Sequence, residues 1–151
     1  MNNFENIEEY IPHRAPMIML DKILSIQGFE IKTSYVIKQD SILVFGNQIL
    51  ETGLIENFAQ TSFVFLKALF ADETNTDFQN PEQTLGFISS IKNLHIKELP
   101  KVDDELITTT EVDLVFKSPV LKIIDVKGYT QVNNKIVFES EMKMLVQTRT
   151  E

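Results

Sequence analysis

Alternation of apolar and polar residues marks the strands of this chain most clearly at two places. Across residues 30–37, Ile31, Thr33, Tyr35 and Ile37 share one face, while Glu30, Lys32, Ser34 and Val36 share the other. Across residues 135–147, Ile136, Phe138, Met142, Met144 and Val146 oppose Glu139, Glu141, Lys143 and Gln147. Residues 105–116 alternate in part, with Thr108, Thr110, Val112, Leu114 and Phe116 on one side. Further strands are expected at 17–26, 85–99 and 120–132. Turns are expected at Gln27-Gly28, at Lys117-Ser118-Pro119 and at Asn133-Asn134, where Asn tolerates positive φ. Residues 38–47 are expected as a loop with an apolar insert at 42–45.

Residues 54–71 break this pattern. Leu54, Ile55, Phe58, Ala59, Phe63, Val64, Phe65, Leu66, Ala68, Leu69, Phe70 and Ala71 cover most of a helix's circumference. Thr52 is the expected cap, with Glu51 favourable at the positive end of the helix dipole. A polar stretch, 72–83, with Pro81, is expected as a loop. The order is strand, strand, helix, then four strands, with short turns that favour antiparallel pairing. A helix apolar nearly all round cannot be buried on a flat sheet, so the sheet must curl. The expected fold is α+β, one antiparallel sheet curled around one long apolar helix, as a single domain over residues 1–151.

Composition narrows the chemistry. The chain has 151 residues, of which 43% are hydrophobic and 24% charged, enough to build a core. Its formal net charge of −8 argues against generic nucleic-acid or anionic-membrane binding. It has no cysteine, which removes disulfides, thiolate metal sites and a cysteine nucleophile. It has two histidines, His13 and His95, too few for a multi-histidine metal site, and no cofactor is called for. Met1 to Tyr10 is acidic and polar, unlike a secretory signal. The longest apolar run is interrupted by Glu56, Gln60 and Lys67, so no membrane span is expected, and a cytoplasmic location is.

Three motifs add to this order of elements. They are Ile11-Pro12-His13-Arg14-Ala15-Pro16-Met17-Ile18-Met19-Leu20-Asp21-Lys22-Ile23, Ile55-Glu56-Asn57-Phe58-Ala59-Gln60, and the hairpin Lys127-Gly128-Tyr129-Thr130-Gln131-Val132-Asn133-Asn134-Lys135-Ile136-Val137. Together they resemble the hotdog-fold 3-hydroxyacyl-acyl-carrier-protein dehydratases. The first two are most similar to the subgroup associated with aryl-polyene and flexirubin-type pigment clusters. The resemblance implies elimination of water from a 3-hydroxyacyl thioester to an enoyl thioester, in fatty-acid-like or aryl-polyene synthesis. It also implies an acyl carrier protein or acyl thioester as partner. A homodimer or larger assembly is expected, either of this chain or with a paralogue, joined through the strand at 85–99. One departure is clear: the family's loop histidine before the helix has no counterpart among Asp40 to Asn47, and its Pro-Gly is replaced at best by Gly53.

Dehydration needs a base for the C2 proton and an acid for the departing hydroxyl. Glu56, in the first turns of the helix, is the candidate acid, and Gln60, one turn later, is expected to hold it. With the loop histidine missing, His13 is the candidate base, fixed between Pro12 and Pro16. A gap of roughly 5–9 Å between His13 and Glu56 is expected, to admit the substrate. His95, among apolar strand neighbours, reads as a sheet-surface histidine. Gly86 is a candidate substrate-binding position, where a bare backbone admits a ligand, or else a twist point. The phenylalanines of the helix read as core. Arg14, Lys92, Lys97 and Lys101 read as a basic patch for a carrier protein or as solvated charges. Two other readings stand beside the dehydratase: a non-catalytic hotdog partner subunit of a dehydratase complex, and a hotdog acyl thioesterase.

Overall fold

The computed structural model describes residues 6–70 and 84–148. After a short 3-10 turn, Ile7–Glu9, come β1 (Lys22–Gln27), β2 (Glu30–Val36), the two-residue strands β3 (Val44–Phe45) and β4 (Gln48–Ile49), and the helix α1 (Glu51–Phe70). β5 (Thr84–Ile96), β6 (Glu105–Lys117), β7 (Leu121–Val132) and β8 (Lys135–Thr148) follow. The six longer strands form one sheet in the order β1-β2-β6-β7-β8-β5, with every neighbouring pair antiparallel. The helix packs against β2, β6 and β7. The expected α+β architecture is therefore the observed one.

Turn chemistry sets the hairpins. Gly28, at φ +59°, begins the turn between β1 and β2, a conformation most side chains resist. Asn133 and Asn134 both take positive φ between β7 and β8, as a two-residue hairpin of this twist requires. The insert expected at 42–45 supplies β3, which pairs with β4 as a small separate hairpin.

The helix is enclosed over its middle. Leu54, Phe58, Ala59, Phe63, Val64, Phe65 and Leu66 are buried, and so are Asn57, Gln60, Thr61 and Ser62. Two of these polar residues bond back to the helix itself, Thr61 Oγ1 to the Asn57 carbonyl and Ser62 Oγ to the Phe58 carbonyl. Thr61 and Asn57 also reach the sheet, while Gln60 binds the segment before β1. Thr33, Thr108 and Thr130 lie opposite one another across β2, β6 and β7. Thr33 meets Thr61 at 2.8 Å, Thr108 meets Thr130 at 2.8 Å, and Thr108 Oγ1 donates to Asn57 Oδ1 at 2.6 Å. A row of hydroxyls thus fixes the helix's position along an otherwise apolar face.

Two expectations need correction. Thr52 does not cap the helix: it lies inside the first turn and is exposed, because Leu50, two residues earlier, already stands at the cap, its carbonyl accepting from the Gly53 and Leu54 amides. The strand expected to begin at Met17 begins at Lys22, because the backbone at Met17 and Met19 bonds to helix side chains instead of a neighbouring strand. The loop expected at 72–83, Ala71, and the side chains of Ala68, Leu69 and Phe70 lie outside the described residues. Among the described residues no helix is long and apolar enough to cross a membrane.

Replacing Asn57 by Ala removes the acceptor of Thr108 and leaves the buried Met19 carbonyl without its donor. Each such loss costs about 1–3 kcal/mol. We expect the melting temperature of Asn57→Ala to fall by about 6–12 °C, for a loss of about 3 kcal/mol in a domain of this size. A melt within two or so degrees of wild type would show that the buried amide is dispensable.

Candidate active site

The segment carrying His13 lies against the start of α1 because the helix's amides hold it there. Asn57 Nδ2 donates to the Met19 carbonyl at 2.7 Å. Gln60 Oε1 accepts from the Met19 amide at 2.7 Å, and Gln60 Nε2 donates to the Met17 carbonyl at 2.8 Å. Upstream, the fully buried Ile11 anchors the other end of the loop, and Arg14 Nη1 donates to the carbonyls of Ile11 and His13. The loop between these anchors places His13 Nε2 3.4 Å from Glu56 Oε1. Gln60 Nε2 also donates to the same Glu56 oxygen at 3.0 Å. Three of the four sequence candidates, His13, Glu56 and Gln60, therefore meet within one chain.

The contact is closer than the expected gap of roughly 5–9 Å. The reason is Gln60, which binds both Glu56 and the backbone leading from His13, so that the two groups are drawn onto one face. The His13 and Glu56 side chains keep 22% and 24% of their exposure, so the pair is reachable but largely out of water. The His13 ring stands edge-on to Phe63, with centroids 5.5 Å apart and planes at 87°. Burial pushes the His13 pKa below its ordinary value. The Glu56 carboxylate pulls it up and the Arg14 guanidinium lowers it further, and burial prevails. His13 Nδ1 is buried and makes no hydrogen bond among the described residues.

Gly86 lies elsewhere in the arrangement, on β5, but it is linked to the pair through Phe63. A Cβ built on Gly86 would lie 1.5 Å from Phe63 Cζ and about as badly against both Cε atoms, at 2.4 and 2.5 Å. The bare backbone therefore admits the phenyl ring of the chain's own helix. Sequence reading placed Phe63 in the core, which it occupies at 3% exposure, but did not place it beside His13. The signal was present: Glu56, Gln60 and Phe63 stand at i, i+4 and i+7, one helical stripe.

His95 is exposed on β5 opposite Glu139, away from Glu56. It lines a cavity of about 380 Å³ that adjoins one of about 420 Å³ through shared residues Glu111, Lys127 and Glu141. Neither cavity is lined by His13, Glu56 or Gln60, and their walls are the charged ladders of the sheet's outer face. The basic residues do not act together there: Arg14 is bonded within its loop, and Lys97 pairs with Glu139 at 3.7 Å.

Comparison with known proteins agrees with this architecture. A family model described as ApeP-like, ApeP dehydratase, matches residues 5–119. The chain is similar to the 3-hydroxyacyl-[acyl-carrier-protein] dehydratase FabZ of Bacillus cereus, 27% identical over 154 residues that cover 100% of each chain. It is likewise similar to FabZ of Helicobacter pylori, 27% identical over 156 residues, covering 96% of this chain and 91% of that one. Among solved structures it resembles the dehydratase heterocomplex ApeI:P of Xenorhabdus doucetiae, with a TM-score of 0.70 at 13% identity, covering 96% of this chain and 91% of that one. The chain belongs to the ApeP-like dehydratase family, the lyase class that its helix, sheet and opening motifs led us to expect.

Proposed function

We propose that this chain removes water from a 3-hydroxyacyl thioester borne by an acyl carrier protein, with His13 as base and Glu56 as the acid that releases the hydroxyl. The observation that carries this reading is the 3.4 Å His13–Glu56 contact, clamped by Gln60 in a half-buried setting. Neutral imidazole is the basic form, and burial favours it. In the tautomer that directs Nε2–H at Glu56, Nδ1 keeps a free lone pair, and no described residue occupies it. Nδ1 takes the C2 proton, Nε2 passes its own proton to Glu56, and Glu56 delivers a proton to the C3 hydroxyl. The C2–H and C3–O bonds break, the C2–C3 double bond forms, and water leaves. The imidazole ends in its other neutral tautomer, so the enzyme's proton count is unchanged. A direct contact suits such a relay better than two groups working apart.

A second reading, a subunit of a larger dehydratase assembly, rests on β5. This strand pairs with β8 on one side, and its other edge has no partner strand among the described residues. Phe87, Ile91 and Leu94 stand exposed along it. An open apolar edge suits a strand from a second hotdog chain, either a copy or a paralogue. Co-purification with a paralogue, together with an isolated chain that does not turn over, would favour the non-catalytic form of this reading.

The dehydratase reading is tested by supplying 3-hydroxyacyl-carrier protein and weighing the products. An enoyl thioester is expected. Free acid and thiol would identify a thioesterase instead. Glu56→Gln should lower turnover by about a hundredfold or more while the protein melts near the wild-type temperature. A folded Glu56→Gln enzyme at wild-type rate would remove Glu56 from the mechanism.

The burial of His13 also sets a pH dependence. Its folded pKa lies below the unfolded value, so the unfolded chain binds the proton first on acidification. The contribution to stability is full above about pH 6.5 and is lost as pH falls through the folded pKa. As the base, His13 should also place the acidic limb of kcat/KM below about pH 6.5. Thermal melts of wild type and His13→Gln between about pH 5 and pH 8 check the first point. Identical pH slopes would show that His13 is not the linked group.

A further inference from the structure

The stripe Glu56, Gln60, Phe63 runs from the exposed start of α1 toward its enclosed middle. Exposure falls along it, from 24% at Glu56 to buried at Gln60 and Phe63. His13 lies over both ends, 3.4 Å from Glu56 and edge-on to the ring of Phe63. Anything that reaches His13 from the exposed side and continues inward along this stripe meets Phe63 next. The ring does not stand free. Its tip fills the space where every other amino acid at position 86 would carry a Cβ, so the ring is seated against β5 and also meets His13 in a T-shaped contact.

We infer that Phe63 is the specificity-determining residue of the site: seated in the notch at Gly86, its ring closes the apolar route past His13 and limits the length of acyl chain admitted. The inference rests on the dehydratase reading for the identity of the ligand, a linear acyl thioester, and goes beyond it in naming what sets the limit. Phe63 touches neither reacting proton, so it acts by shape. Removing its ring opens a passage bounded by the bare backbone of Gly86. Adding a methyl at Gly86 has the opposite result, because the new carbon would lie 1.5 Å from Cζ and drive the ring out of the notch.

The probes are S-alkyl pantetheine thioethers from butyl to dodecyl, which bind without turning over, and binding is followed by calorimetry. Wild-type affinity should rise with chain length and then stop. In Phe63→Ala it should continue to rise beyond that point, by up to about fourfold per methylene. The preference for the longest over the shortest chain should shift by about tenfold or more. Gly86→Ala should move the limit to shorter chains, and Phe63→Ala/Gly86→Ala should restore the longer ones. Phe63→Leu, which keeps more of the buried volume, gives the same test if the alanine variant does not fold, and should show the same shift in smaller measure. An unchanged length limit in a folded Phe63 variant, or no length limit in wild type, overturns the assignment. Because binding is read without chemistry, a chain that shows the Phe63-dependent limit yet dehydrates nothing would refute the dehydratase reading and leave this one standing.

Discussion

Two buried carboxamides, Asn57 and Gln60, hold the candidate site of this molecule together. They give the backbone at Met17 and Met19 the hydrogen bonds that a neighbouring strand would otherwise give. A buried amide or carbonyl left unpaired costs about 1–3 kcal/mol, so three such bonds outweigh any one surface ion pair of the fold. One face of one helical turn therefore does two things. It docks an irregular segment onto the helix, and it fixes where the loop bracketed by Pro12 and Pro16 begins its return. His13 reaches Glu56 because the chain on either side of it is already anchored, by Ile11 upstream and by the amides downstream.

The row of threonines extends the same constraint into the sheet. Apolar packing fills the space between helix and strands but does not choose how far the helix slides along them. The chain from Met19 through Asn57, Thr108 and Thr130 does choose, since each hydroxyl or amide has a partner at one position of the helix and not at the next. A slide of one turn would leave several of these groups unpaired in an apolar interior. The positions of Glu56 and of Phe63 opposite Gly86 follow from that setting.

Periodicity made most of the fold legible. β8 alternates from Phe138 onward as its sequence does, β2 does so except at the buried Ser34, and the all-round apolar helix correctly demanded a curled sheet. Elements failed where a tertiary bond replaced a local one. Met17 to Leu20 has a strand's composition, but its backbone partners are side chains forty residues or so away, which no local pattern shows. Thr52 has the right chemistry for a cap but lies two residues too late, since Leu50 already offers its carbonyl. The pairing of Glu56 with Gln60 was legible from i, i+4 spacing. The closeness of His13 was not, because a loop's reach depends on both of its anchors. Phe63 was hidden for a different reason: a phenylalanine at core spacing has the same sequence signature whether it packs on leucines or on a histidine.

His13 and Glu56 are brought together by bonds internal to one chain, and this bears on what an assembly would contribute. The clamp through Gln60, the anchor at Ile11 and the edge-on contact with Phe63 all come from the same polypeptide. The His13–Glu56 contact therefore does not wait for a second subunit to form. The open side of β5 is a separate problem, a long strand edge with exposed Phe87, Ile91 and Leu94. Yet β5 also carries Gly86, against which Phe63 is seated. A strand added at that edge would stiffen β5 and hold the notch in place. Under the proposed dehydratase reading, the loop and the helix of one chain carry His13 and Glu56, and β5 carries the notch that seats Phe63.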